Sequence, residues 1–299
     1  MCTVISSTLH LPIEERLADA FDRISRSNFV EIRAGLISLE EYIRWVAGIP
    51  EPRHQDNREE TADAGGEGTQ QEYAIPSGPR VDEFKAMQDG FEYNIAIRVV
   101  ACMDYLLGLK ETNCYRQESL LMSCLEILEG ALLLHPDSRN LFARQLPMGT
   151  LVDTIPKRRH PGIQERIIGV LAITILECPA NTRTFEAQNG LVSIANLFKN
   201  RATSKEVKKN ITELIYVYLL PEDENSQTAI SSAQLVDPQF PGDEAFMASR
   251  CRTVEQKSEM LGAHLQGLDE IVRDIRHHPW MFGTKIVEKD DKEGDKKDN

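Results

Sequence analysis

Apolar residues return at every third or fourth position through most of the chain, the spacing of a helix with one buried face. Ile13, Leu17, Ala20, Phe21 and Ile24 make one such stripe, and Ile32, Leu36, Leu39, Ile43 and Val46 make the next. Residues 12 to 48 are therefore expected to form two helices, stopped by Gly48 and Pro50. Phe84, Met87, Phe91, Ile95, Val99, Cys102 and Leu106 predict one long helix from Val81 to Leu109, which Gly90 could bend, and another helix is expected from Gln117 to Leu134.

Beyond that point the pattern repeats. Shifted by 43 positions, Leu120, Cys124, Ile127, Leu128 and Leu132 fall on Ile163, Ile167, Val170, Leu171 and Ile175, while Pro136, Phe142 and Gln145 fall on Pro179, Phe185 and Gln188. A shift of 44 carries the same five apolar positions onto Val207, Ile211, Leu214, Ile215 and Leu219. Any two amphipathic helices align at some offset, but the shared Pro and Phe need a common unit. That unit is a long helix, a stop at Pro136 or Pro179, a polar cap at Ser138 or Asn181, a short helix bearing the Phe, then Gly149 or Gly190 and a further helix. One copy cannot bury both of its apolar faces, so neighbours must stack. The period predicts an all-α, armadillo/HEAT-like helical repeat solenoid, and Leu171 is expected to face both neighbouring helices.

Elsewhere the apolar pattern fails. Glu51 to Pro79 is rich in acids, Gly and Gln, and 221 to 249 in Pro, Ser and acids; neither stretch could offset the entropy of ordering it. A last stripe, Leu261, Leu265, Leu268, Val272 and Ile275, predicts a helix from Thr253 to Ile275, and 11 of the 15 residues from Lys285 to Asn299 are charged. The expected organisation is a helical pair over 1–48, an acidic disordered loop over 49–80, a repeat core over 81–220, a loop over 221–252, a capping helix over 253–282 and a disordered charged tail over 283–299.

Charge narrows the function. At net −13 over 299 residues the chain lacks the surplus of Lys and Arg that nucleic acid or an anionic membrane surface requires. Residues 1 to 12 carry no basic segment ahead of an apolar run, and Cys2 stands where myristoylation needs Gly. The longest apolar run, Ile167 to Leu176, is too short to span a bilayer, so no membrane insertion is expected. The six cysteines (Cys2, Cys102, Cys114, Cys124, Cys178, Cys251) form no CxxC pair and are expected to be reduced core residues of a cytosolic or nuclear protein.

No catalytic pattern emerges. A thiolate phosphatase needs Cys-x5-Arg, and no cysteine here has Arg six residues later; Gly283-Thr284-Lys285 is not a P-loop. His277 and His278 lack spaced partner ligands, and His135 and His160 sit beside prolines in turns, so no metal, cofactor or enzyme activity is expected. Asn210-Ile211-Thr212 has the form of a glycosylation sequon but lies mid-helix in a chain without a secretion signal.

One charge feature stands apart. Residues 135 to 220 hold 12 Lys and Arg against 7 Asp and Glu, a balance of +5, while the remainder of the chain carries −18. Within it Lys157, Arg158 and Arg159 recur about one unit later as Lys199, Arg201 and Lys205. Equivalent turns of stacked units fall along one edge. These six residues are either a solvated loop edge or a dock for an acidic or phosphorylated segment of a partner protein. The Trp and Asn ladders with which armadillo proteins hold extended peptides are missing: Trp45 and Trp280 fall outside the best repeats and Asn196 stands nearly alone. An adaptor for extended peptide cargo is accordingly the second choice.

Several runs carry a family likeness. His135-Pro136-Asp137-Ser138-Arg139-Asn140-Leu141-Phe142, Glu177 to Glu186 with Asn189-Gly190-Leu191, Tyr218-Leu219-Leu220-Pro221-Glu222, and Thr253-Val254-Glu255-Gln256-Lys257 with Leu261-Gly262 and Leu268-Asp269 resemble the fungal cell division control protein 14 family of the septation initiation network, which is unrelated to the phosphatase of similar name. The resemblance implies a regulatory partner of a germinal-centre (Ste20-like) protein kinase, acting at the spindle pole body in septum formation and cytokinesis, with no active-site residues to carry over.

Overall fold

The computed structural model describes residues 12–50, 76–109, 114–157, 160–222 and 251–265. Every regular element among them is helical: α1 (Ile13–Ile24), α2 (Phe29–Val46), α3 (Pro79–Asp89), α4 (Ile95–Gly108), α5 (Cys114–Leu134), a 3-10 helix (Pro136–Ala143), α6 (Gln145–Lys157), α7 (Pro161–Ile175), α8 (Pro179–Ala187), α9 (Gly190–Lys199), α10 (Lys205–Leu219) and α11 (Val254–Gly262). Their starts follow local chemistry. Asn28, Asn94 and Ser204 accept from the backbone N–H of Val30, Ile97 and Val207, and Thr253 with Gln256 closes a capping box. Proline opens α3, the 3-10 helix, α7 and α8, where its missing N–H costs nothing.

Three long–short–medium triplets succeed one another: α2–α3–α4, α5–3-10–α6 and α7–α8–α9. The long helices pack in sequence, α2 on α5, α5 on α7 and α7 on α10. The short ones pack α3 on the 3-10 helix and the 3-10 helix on α8; the third ones pack α4 on α6 and α6 on α9. α1 covers α2 at one end and α11 covers α10 at the other. One continuous core runs between them, and the five apolar positions shared by α5, α7 and α10 are buried in every copy. So are the equivalent Phe142 and Phe185. Two glycines allow close helix packing, Gly35 between α1 and α2 and Gly130 between α2 and α5: a Cβ on Gly35 would lie 2.7 Å from the Ala20 carbonyl oxygen, and one on Gly130 2.6 Å from Ile43 Cγ2.

Three expectations change. The predicted helix from Val81 to Leu109 is two helices, α3 and α4, parted at Gly90 to Asn94. The stripe crosses the break in sequence but not in space: Phe91 is 70 % exposed, with the Arg98 guanidinium 5.5 Å from its ring. Buried Gln88 holds the corner by donating to the Tyr93 carbonyl (3.0 Å) and accepting from the Ile95 N–H (2.8 Å). Secondly, Ser138 and Asn181 do not cap helix starts, because Pro136 and Pro179 take the first helical position and leave His135 and Cys178 as the caps. Thirdly, Gly149 lies inside α6, whereas Gly190 opens α9. A Cβ on Gly190 would run into the Phe185 ring, and the preceding Asn189 takes a left-handed conformation (φ 60°) to turn between α8 and α9. The acidic loop expected over 49–80 lies outside the described residues from 51 to 75. So do most of the loop expected over 221–252, the expected charged tail, and the part of the expected Thr253–Ile275 helix that carries Leu268, Val272 and Ile275; its described part, α11, ends at Gly262.

Candidate functional site

The basic edge is partly in view. Lys199, Arg201 and Lys205 are all exposed around the α9–α10 turn. The turn is firmly built: Thr203 donates to the Leu197 carbonyl (2.7 Å), the Asn200 side chain accepts from Ala202 N–H (3.0 Å), and Ser204 caps α10. Lys208 reaches over the Phe198 ring at 6.0 Å. Lys157 ends α6; its side chain, with Arg158 and Arg159, lies outside the described residues. α6 pairs with α9 and α7 with α10, and the Asn210 amide donates to the Glu165 carbonyl (3.4 Å), which joins the second turns of α10 and α7.

A polar seam runs along the short helices. Ser138 Oγ receives the Asn94 amide (3.1 Å), and Asn94 also donates to the Gln88 carbonyl (2.7 Å). One unit later Asn181 donates to the carbonyls of Arg139 (2.8 Å) and Thr174 (2.7 Å), and Thr184 to that of Ala143 (2.9 Å). The residues expected as caps therefore fasten each short helix to the unit before it. His135 spans Ser138 Oγ (Nδ1, 2.8 Å) and Asp89 Oδ1 (Nε2, 3.0 Å). That is the connectivity of a serine–histidine–carboxylate relay with the ring nitrogens exchanged. With Ser138 only 6 % exposed and already bonded to Asn94, the hydroxyl is committed to packing.

Cys102 and Cys124 are buried free thiols whose sulfurs lie 4.0 Å apart. Their contact pulls the Cys102 thiol down and pushes Cys124 up. Cys178 is pushed up by burial. None of these three is joined in a disulfide.

A buried charge cluster among the described residues carries no mark in the hydrophobic pattern of α8. Where α8, the end of α10 and α11 meet, Arg183, Glu186, Glu222 and Lys257 have side chains no more than 6 % exposed. Glu186 bonds Arg183 (3.0 Å), Arg252 (2.5 Å) and the Tyr218 hydroxyl (2.9 Å). Glu222 bonds Arg183, Lys257 (2.8 Å) and the Arg252 N–H (2.8 Å), while Lys257 also donates to the Leu220 carbonyl (2.7 Å). Burial pushes the Glu186 carboxyl above its ordinary range against the pull of Arg183, and draws the Lys257 ammonium below its own despite Glu222. Tyr218 is held far above a normal phenol by burial and by Glu186. The signal was available: Lys257, Leu261 and Leu265 follow one another at intervals of four, so a lysine occupies the apolar stripe of α11. Three of the runs that carried the family likeness, those containing Arg183 and Glu186, Tyr218 and Glu222, and Thr253 and Lys257, converge on this cluster.

Among the described residues no single helix is long and apolar enough to cross a membrane. A family model described as "Cell division control protein 14, SIN component" matches residues 13–280. The chain is similar to Cell division control protein 14 of Schizosaccharomyces pombe, at 26 % identity over 216 residues, covering 70 % of this chain and 80 % of that one. No solved structure matches the chain. A match spanning nearly all the helices, with the runs that build the ionic cluster inside it, shows that the chain belongs to the Cell division control protein 14, SIN component family.

Proposed function

We propose that this chain is a non-catalytic scaffold or regulatory subunit that binds a germinal-centre (Ste20-like) protein kinase in the septation initiation network, promoting septum formation and cytokinesis from the cytoplasmic face of the spindle pole body. The helices stack as an armadillo-like solenoid in this reading: three triplets follow one another, each member on its counterpart, with α1 and α11 closing the ends. The observation that carries the reading is the exposed cationic turn Lys199–Arg201–Lys205, on a segment of +5 in a chain of −13. The six basic residues named above then form one ridge for an acidic or phosphorylated kinase segment, with Arg able to bind it bidentately. Membership of a family described as a network component supplies the pathway. The extended-peptide adaptor is less well supported, because no Trp and Asn ladder recurs along the repeated helices: Trp45 stands on α2, stacked on Tyr42 with the Arg80 guanidinium 4.7 Å from its ring.

The test is affinity purification from dividing cells with the recovered proteins identified. The wild-type chain should bring down a Ste20-like kinase. Lys199→Glu, Arg201→Glu and Lys205→Glu together should lower recovery about tenfold or more with Tm unchanged, since each side chain is exposed. Full recovery with the triple variant removes the ridge from the reading. Recovery of importins or linear-motif cargo in place of a kinase replaces the reading with the adaptor.

A further inference from the structure

We infer that Asp89, His135 and Asp137 form a site for a divalent transition-metal ion of the zinc class. One ligand atom from each lies within 4.8 Å of the other two. An imidazole with two carboxylates is a donor set such ions accept, at about 2.0 Å for nitrogen and 2.0–2.2 Å for oxygen, with the remaining position left to water. His135 is the fixed member, at 4 % exposure, whereas both aspartates are exposed and can swing about their χ1 bonds to close on an ion.

The surroundings of the imidazole prepare it as a ligand. Nδ1 is 2.8 Å from Ser138 Oγ, and the Asn94 amide, oriented by the Gln88 carbonyl, donates to the same oxygen. With the Ser138 hydroxyl donating to Nδ1, Nε2–H donates to Asp89 Oδ1 3.0 Å away; with Nδ1–H donating to Ser138 Oγ, the Nε2 lone pair faces that carboxylate and a metal ion can take the place of the proton. A ligating His whose other N–H is held by a neighbour is the usual second-sphere arrangement of metal sites.

Helix ends add to this. Asp89 is the last residue of α3, and His135 directly follows the last residue of α5, so the negative ends of two helix dipoles converge on the cluster. The opposing field comes from the start of the short 3-10 helix, whose first turn supplies Asp137 itself. Arg139, the nearest cation on that helix, turns away to the carbonyls of Leu132 and Leu176. A bound ion would join the end of α3 to the 3-10 helix, and so link the short helices of two successive units.

The test titrates ZnCl2, and separately CoCl2, into chelator-stripped full-length chain under reducing conditions. We expect one ion per chain held by this site, a rise in Tm on binding, and a cobalt spectrum with d–d bands but without the intense thiolate-to-cobalt bands that cysteine ligation would give. Asp137→Asn should leave the Tm of the stripped protein unchanged, because that carboxylate is exposed, yet weaken binding by about tenfold or more. Asp89→Asn should weaken it similarly. Binding unchanged in the double variant, thiolate bands from cobalt, or no stoichiometric binding by the wild type would each overturn the inference and leave a shared proton as the bridge between His135 and Asp89.

Discussion

The two ends of the helix stack are closed by different physics. At the first, α1 lays Leu17, Ala20, Phe21 and Ile24 on α2, brought close by Gly35, and its ion pairs stay outside: Arg23 to Asp19 (2.8 Å) and to Glu31 (3.7 Å) are on half-exposed side chains. At the other, α11 inserts Lys257 among Glu222, Glu186 and Arg183 with hardly any solvent in reach. Apolar contact is non-directional and tolerates small changes of angle, whereas buried charges are stable only when each finds its partner. The first end is held by area, the second by register. Among the described residues Arg183, Lys257 and the partly exposed Arg252 share Glu186 and Glu222, so this end has little tolerance for losing an acid.

The contrast can be broken in graded steps. Leu171→Asp, which puts a charge at a fully buried position of α7, should abolish the cooperative thermal transition seen by circular dichroism. Retention of a wild-type melt would discard the stacking model. Glu222→Gln should cost about 3–5 kcal/mol in urea unfolding, because Arg183 and Lys257 stay buried without their shared carboxylate. Leu17→Ala should cost about 2–4 kcal/mol in the same assay, a cavity cost rather than an electrostatic one. The ranking of these two is the comparison in numerical form, and a reversed order would mean that area dominates at both ends.

Acid sharpens the difference further. Burial raises the Glu186 carboxyl above its unfolded value of 4.5, so between that value and the raised one the folded state binds more protons than the unfolded state. Stability therefore falls as pH rises through that window, and wild type should gain on Glu186→Gln as pH is lowered toward 4.5; a paired surface carboxylate would show the opposite slope. The smallest effect is expected at the first end, where Asp19→Asn should shift Tm by about a degree or less, as befits an ion pair in water.

What the sequence revealed depended on whether a residue's role was local. The offset of 43 exposed the long helices because Leu120, Cys124 and Leu128 must each face a neighbour one unit away, and Pro136 and Pro179 must each open a helix. Helical periodicity misled at Phe91, since a corner that happens to preserve the phase of a stripe is invisible to it; only the cap at Asn94 and the buried Gln88 reveal the break. Ser138 and Asn181 were expected to cap because their side chains suit that task, but a side chain that bonds across units carries no mark of its partner in the sequence. Arg183 and Glu186 had the composition of a wet short helix, and their burial depends on α11, which arrives about seventy residues later. Of the six basic residues, the exposure of Lys199, Arg201 and Lys205 was legible because loops between packed helices lie outside.

The seam of the short helices has a consequence for synthesis on the ribosome. Its bonds, Asn94 to Ser138, Arg139 to Asn181 and Ala143 to Thr184, join positions 41 to 44 residues apart, so each triplet can dock as soon as the next one has emerged, without waiting for distant sequence. The ionic cluster breaks that rhythm. Arg252 reaches back 66 residues to Glu186, so Glu186 leaves the exit tunnel long before its last cation does and must wait in water until α11 is made. Growth of the nascent chain thus orders assembly in time, from α1 forward, with Lys257 among the final pieces to lock.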